Sequence, residues 1–318
     1  MTTVTEHDAV KALQFEPHET PSSNRKTEGP YRRLARRFRS NKLAMTALVC
    51  LLLIVAAAIF APLLAPYPPA QISMENRLLP PTSGHLLGTD ELGRDTLSRL
   101  LYASRTSLLA AVTAVGVAVV IGLPGGLAAG FFGGWPDKVL SRIADAVMCF
   151  PYLLLAMAII SALGPGLRNA MTAIGLVYAP RLFRIVRAAV LEVRHSTYIE
   201  AARTSGTTSI RSITRHILPN ISSPLIVQVT VMLSAALLAE ASLSFLGFGV
   251  TAPDASWGMM LGRGFGNIRT APWGTYWPGL AIAVTTLSLN VIGDGLRDSL
   301  GRERVRPPRK ARKSGGAG

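Results

Sequence analysis

The stretch NAMTAIGLVYAPRLFRIVRAAV, residues 169–190, is too apolar for a solvated loop and too charged for an obvious membrane span. Its first part, 169–179, carries no charge but is too short to cross a hydrocarbon core of about 30 Å. Continuing through Pro180, Arg181, Arg184 and Arg187 makes it long enough. The i, i+3 spacing gathers these arginines near one helix face, from which they can snorkel. Pro180 is compatible with a kinked membrane helix.

The runs on either side show what this stretch must be. Residues 43–65 and 107–130 contain no charge over 23 and 24 positions, residues 146–163 form a third clean run, 221–247 carry only Glu240, and 277–293 form a shorter run. Cytoplasmic flanks of membrane proteins are enriched in Lys and Arg. Nine such residues precede Leu43 and eight follow Ile292, so both termini belong in the cytoplasm. That demands an even number of crossings, and counting 169–190 gives six. It also leaves the seven arginines from Arg181 to Arg215 inside, while the loop 66–103, with three arginines against four acids, lies outside. The expected fold is an all-α integral membrane protein with spans near 43–65, 107–130, 146–163, 169–190, 221–247 and 277–293. A membrane permease domain over 31–304 sits between a polar leader, 1–30, expected to be disordered, and a basic cytoplasmic tail, 305–318.

Composition agrees. Of 318 residues, 49% are hydrophobic and 16% charged, well below the usual quarter. The net charge of +15 invites a nucleic-acid reading, but the basic residues lie at chain ends and in short loops, and no soluble basic domain is long enough. A cleaved signal peptide fits poorly, because the leader and the first apolar run both exceed its usual proportions. Cys50 and Cys149 sit in apolar runs and read as packing residues. Gly122, Gly126, Gly130 and Gly134 recur at four-residue intervals, a pattern that lets two helices approach closely in lipid.

The most informative polar segment is STYIEAARTSGTTSIRSITRHILPN, residues 196–220. Tyr198 to Ser205 favours a helix, Gly206 permits a bend, Thr207 to Ser209 offer a cap, and Pro219 is expected to halt the second helix. A helix-turn-helix of this kind on the cytoplasmic side suits a protein partner; an interfacial helix on anionic headgroups is the alternative.

This segment resembles the EAA loop of ABC importer permeases, in which EAA is followed after three residues by Gly and later by Leu-Pro; Glu200, Ala201, Ala202, Gly206, Leu218 and Pro219 match. His216 before Ile217 resembles the peptide and nickel branch. LLGTDELGRDTLSRLLYASRTSL (86–108), FPYLLLAMAI (150–159) and EASLSFLGFGVTAPDASWGMML (240–261) are similar to its C-type subunit, and the resemblance covers nearly all of 31–304. It implies a type I ABC importer permease fold in the cell membrane. It also implies a homologous B-type permease partner, two ATPase subunits or one fused ATPase that bind ATP and Mg, and an extracytoplasmic substrate-binding protein. The EAA loop would be a coupling helix seated on the ATPase. Glu200 would make the polar contact, Ala201 and Ala202 would allow close approach, and Gly206 would supply the bend. The cargo is expected to be a di- or oligopeptide, with nickel chelates and haem as alternatives.

The chain lacks a G-x-x-x-x-G-K-[ST] phosphate loop, since none of its six lysines follows a glycine. Nucleotide hydrolysis therefore belongs to a partner, and no catalytic residue, cofactor or metal is expected here. Gly262, Gly264 and Gly266 read as an external turn. Asp90, Glu91 and Asp95 lack the alternating calcium-loop spacing, and Thr89 suits a helix start. Asp145 and Asp294 have Arg142 and Arg297 three residues away as partners. Glu240, near Ser242 and Ser244, is either a carboxylate on the substrate path or an interhelical packing group. An ion-coupled secondary transporter is the rival class; it needs its own coupling-ion site and often inverted repeats, and no repeat is found.

Overall fold

Caps and prolines punctuate a chain that is otherwise free to be helical. The computed structural model describes residues 30–194, 196 and 207–301, and these are helical nearly throughout, with one isolated β-bridge, Thr89 to Asp95. The arginine-rich α1 (Pro30–Ser40) is followed by Asn41, whose side chain accepts from Ala44 N and starts α2 (Lys42–Ile59). The helices α3 (Thr96–Phe132), α4 (Gly134–Met148), α5 (Tyr152–Leu163) and α6 (Leu167–Arg194) come next. The bundle is completed by α7 (Leu218–Phe245), α8 (Trp257–Phe265) and α9 (Trp273–Gly301).

Four helical stretches among the described residues are long and apolar enough to cross a membrane: Lys42–Ile59, Thr96–Phe132, Ser209–Phe245 and Trp273–Leu300. The pair α4 and α5 passes the same test only jointly, bent by 93°. This corrects the single span expected at 146–163. Pro151 has no N–H to donate and pushes Phe150 out of the helical region, so the helix stops at Met148 and restarts at Tyr152. The bend leaves Cys149 exposed rather than packed. The 28 residues of α6 contain all of 169–190 as one helix, with Pro180 inside it; at 1.5 Å per residue it is about 42 Å long.

The most extensive pairing in the bundle joins α3 and α6. Glycines make it possible. A Cβ on Gly126 would lie 2.7 Å from Val186 Cβ and 2.8 Å from Phe183 O, one on Gly122 2.6 Å from Ala179 O, and one on Gly130 2.7 Å from Val190 Cβ. From the other side, a Cβ on Gly175 would meet Val117 Cβ at 2.5 Å. Gly134 does not belong to this seam: it has φ +62°, faces open space, and turns the chain from α3 into α4. The arginines of α6 also do something other than snorkel. Arg187 grips Asp137 with two bonds, one of them Nη2 to Oδ2 at 2.7 Å, and Arg184 pairs with Asp145. Both pairs dock α4 onto α6. Asp145 therefore pairs across helices instead of with Arg142, and among the described residues no ion pair joins Asp294 to Arg297.

One end of the bundle is capped by the loop 66–95. Helix α3 begins at Thr96, well before the charge-free run at 107, because the first of its arginines, Arg99, is neutralised by that loop. Arg99 is 2% exposed, with Nε 3.3 Å from Asp90 Oδ2 and Nη1 donating to Pro69 O at 3.1 Å. Arg94 pairs with Asp90 and Glu91, and Glu91 reaches Arg263 on α8 at 3.2 Å. The helix cap is Asp95 rather than Thr89. Its Oδ2 accepts from Ser98 N and Ser98 Oγ, both at 2.8 Å, while Oδ1 lies 2.9 Å from His85 Nδ1. Replacing Asp95 with alanine strips the cap and orphans a buried hydroxyl; it should lower stability by about 2 kcal/mol, read as a fall in thermal midpoint of the purified protein. Asp95→Asn, which can still cap, should recover most of it.

Candidate functional site

Two regions carry the residues singled out above, and a single helix connects them. Glu200, Ala201, Ala202 and Gly206 lie outside the described residues. The described part of their segment begins at Thr207, and Thr208 precedes a helical turn, Ser209–Ser212. A π-helical turn, Ile213–Ile217, follows, with Leu218 N–H donating to Ile213 O, and leads directly into α7. Pro219 thus does not halt the helix. A proline inside an α-helix clashes with the carbonyl four residues back; the wider π-turn just before Pro219 relieves that clash and lets the helix continue. Leu218 and His216 are half-buried, and Pro219 is exposed. Asn220 Nδ2 donates to His216 O at 2.6 Å, and fully buried Ile217 anchors the turn to the core.

Sequence reasoning missed Ile210. It is 75% exposed, a large apolar side chain in a polar segment beside exposed Arg211. An isolated isoleucine amid Ser, Thr and Arg was the available signal.

Near the loop-capped end, α7 carries Glu240, which has no exposed surface. Ser244 Oγ donates to Glu240 Oε1 at 2.7 Å, Oε2 is buried without a hydrogen-bond partner among the described residues, and Ser107 on α3 and Ser256 before α8 stand beside the same carboxyl. The two serines are themselves fixed. Ser107 Oγ accepts from Trp257 N at 3.1 Å, and Ser256 Oγ caps α8 by accepting from Met259 N at 3.3 Å. Gly258 lets α8 lie against α7, since a Cβ there would be 2.5 Å from Ala241 O; Gly262 and Gly264 are likewise helix-packing positions, not an external turn. Ser242 stands apart, its hydroxyl donating to Leu238 O on its own helix. The site is a three-helix junction of α3, α7 and α8. Glu240→Leu leaves the Ser244 hydroxyl without its acceptor and should cost about 2 kcal/mol of stability, whereas Glu240→Gln, which retains a carbonyl acceptor, should cost less than half of that in the same thermal-unfolding measurement.

A long helix joining a polar segment to a buried junction, inside a bundle of apolar helices, can be compared with known proteins. Residues 122–306 match the family described as binding-protein-dependent transport system inner membrane component, and residues 29–81 match the N-terminal transmembrane domain of oligopeptide transport permease C. The chain belongs to this permease family. Among similar proteins, the dipeptide transport system permease protein DppC of Alkalihalophilus pseudofirmus is 41% identical over 93% of this permease and 97% of that protein. The di/tripeptide transport system permease protein DppC of Pseudomonas aeruginosa is 40% identical over 89% of this permease and 96% of that protein. A chain of the MetNI methionine ABC transporter in an inward-facing conformation superposes with a TM-score of 0.53 at 21% identity, covering 63% of this permease and 96% of that chain. That likeness is one of fold. The resemblance read from the EAA pattern and the stretches 86–108, 150–159 and 240–261 thus holds for the family and for its C-type branch.

Proposed function

We propose that this permease is one half of the membrane channel of an ABC importer that carries dipeptides or oligopeptides into the cytoplasm. Its partners are a homologous B-type permease, an extracytoplasmic binding protein, and two ATPase subunits or one fused ATPase that bind ATP and Mg. The chain crosses the membrane six times with both termini inside, α4 and α5 together supplying the third crossing and α6 the fourth. The basic ends and the peptide-transport names of the relatives support this reading.

The observation that carries the coupling mechanism is the continuity of Ser209–Phe245, 37 residues without a break. At 1.5 Å per residue such a helix is about 55 Å long. A displacement applied at its first turn is delivered to the Glu240 junction, as rigid-body switching requires. Glu200 makes the polar contact with the ATPase, Ala201 and Ala202 allow close approach, Gly206 bends the segment, and His216, Leu218 and Pro219 fix its exit into α7. Ile210 supplies an apolar contact to the same partner.

Reconstitution of all partners in proteoliposomes with a labelled dipeptide tests the function. Uptake should require ATP and the ATPase subunits. Accumulation by the two permeases alone, driven by an ion gradient, would show a secondary transporter instead. Single cysteines tested with an impermeant maleimide read the orientation in a cysteine-free background: one at Ser83 should label from outside, and one at Thr207 only after permeabilisation.

A further inference from the structure

Where the arginines of the loop-capped end are buried or half-buried, they are paired. Arg94, Arg99 and Arg263 share Asp90 and Glu91. Arg105, two turns further along α3, is exposed and makes no ion pair with any described residue, and neither does exposed Asp254 in the loop before α8. Both line one cleft of about 440 Å³. Tyr102 and Thr106 of α3 line it too, each without a side-chain hydrogen bond to a described residue, and Leu109 and Leu167 supply apolar wall. The cleft thus offers a free cation, a free anion, a phenol and a hydroxyl around an apolar lining. That combination is typical of small-ligand sites, which are mostly apolar with a few polar groups that fix orientation.

The cleft is also placed on a route. Arg105 borders a second, apolar groove of about 450 Å³ along α3, and the outward face of α3 continues through Leu109 (64% exposed), Val112 (57%), Gly116 and Val120 (73%). A ligand leaving the cleft would meet this uncovered stripe directly.

We propose that this cleft is a transient handover site for the two charged termini of a peptide, with Arg105 receiving the carboxylate, Asp254 the ammonium, and Tyr102 and Thr106 the backbone amides. This rests on the peptide reading above and deepens it. An anionic ligand alone would be repelled by Asp254, and a cationic one by Arg105; a zwitterion satisfies both. The site is shallow and its charges are solvated, so binding is weak, which a passage requires of any stop along it. Opposed charges also explain why the same cleft would accept peptides of differing side chains: it reads only the ends.

The test uses the complete reconstituted complex with binding protein saturated in a labelled dipeptide. Arg105→Gln and Asp254→Asn should each lower peptide molecules delivered per ATP by about tenfold, the loss of one charge-assisted contact, while ATP turnover stimulated by the loaded binding protein stays near wild type. Arg105→Lys should keep most of the delivery, and the exchange Arg105→Asp with Asp254→Arg should recover part of it. Delivery per ATP unchanged in both single variants overturns the proposal. So does a delivery loss accompanied by an equal fall in stimulated ATP turnover, which marks a general defect in assembly. Phosphatidylethanolamine carries the same pair of charges; if replacing it with phosphatidylcholine reproduces the loss in the wild type, the cleft holds a lipid headgroup and the peptide assignment fails. A wild-type complex that moves no peptide at all refutes the peptide reading itself, and is distinguished from the other outcomes by needing no variant.

Discussion

Gly126→Leu should leave little folded permease in the membrane. Even the Cβ of alanine at this position would sit 2.7 Å from Val186 Cβ and 2.8 Å from Phe183 O, and a carbonyl oxygen of a packed helix cannot step aside as a side-chain tip can. Either α3 and α6 separate or the backbone of α6 bends, and overpacking of this kind costs about 3 kcal/mol when the structure yields and more when it does not. The seam is the broadest in the bundle, so separation would also uncover Gly122 and Gly130 from their partners. Gly125→Ala is the control. Its Cβ would meet nothing nearer than Phe183 Cδ2 at 3.4 Å, an ordinary contact, and replacing a helical glycine gains up to about 1 kcal/mol. Thermal unfolding of purified protein, with Gly126→Ala as the milder step, should order the variants Gly125→Ala, wild type, Gly126→Ala, Gly126→Leu from most to least stable. A Gly126→Leu protein as stable as wild type would mean that the α3–α6 seam is not as close as described.

The glycine seam was legible in the sequence because membrane helices can approach only through small residues, and a four-residue repeat puts those on one face. Gly134 was wrongly included because periodicity says nothing of where a helix ends; its positive φ belongs to a turn that only the fold reveals. The apolar runs were legible for a similar reason: lipid enforces composition along the whole length of a helix. Stretch 169–190 needed the charge distribution of the entire chain, since Arg184 and Arg187 are neutralised by Asp145 and Asp137 of another helix. The start of α3 was hidden by the same effect. Arg99 looked like loop until Asp90 and Pro69 O closed around it. The bend at Pro151 and the passage of the helix through Pro219 show opposite outcomes for the same residue type. At Pro151 the helix stops and the chain turns, while at Pro219 a π-turn absorbs the clash. Glu240 was visible as a lone acid in an apolar run and its partner Ser244 lies one turn along the same helix, but the neighbouring Ser107 and Ser256 come from distant segments and could not be assigned without the fold.

Gly206→Val should abolish uptake, by tenfold or more, while leaving the amount of permease in the membrane unchanged. A β-branched side chain restricts the backbone that glycine leaves free, and in the proposed coupling element Gly206 supplies the bend. Downstream of that turn nothing can compensate. Ser209–Phe245 is continuous, Ile217 is buried in the core, and the π-turn before Pro219 fixes the rotational register of the turn Ser209–Ser212. If the bend changes, Glu200 and its neighbours are presented to the ATPase at a different angle, and the lever is disengaged rather than weakened. The expected signature is therefore split: basal ATP turnover persists, stimulation of that turnover by loaded binding protein is lost, and peptide delivery falls with it. Thr207→Val, which places the same side chain one residue on, should retain uptake, so that a loss confined to position 206 reports the bend and not added bulk. Full uptake and full stimulation in Gly206→Val would remove Gly206 from the coupling element and, with it, the basis for seating segment 196–220 on the ATPase.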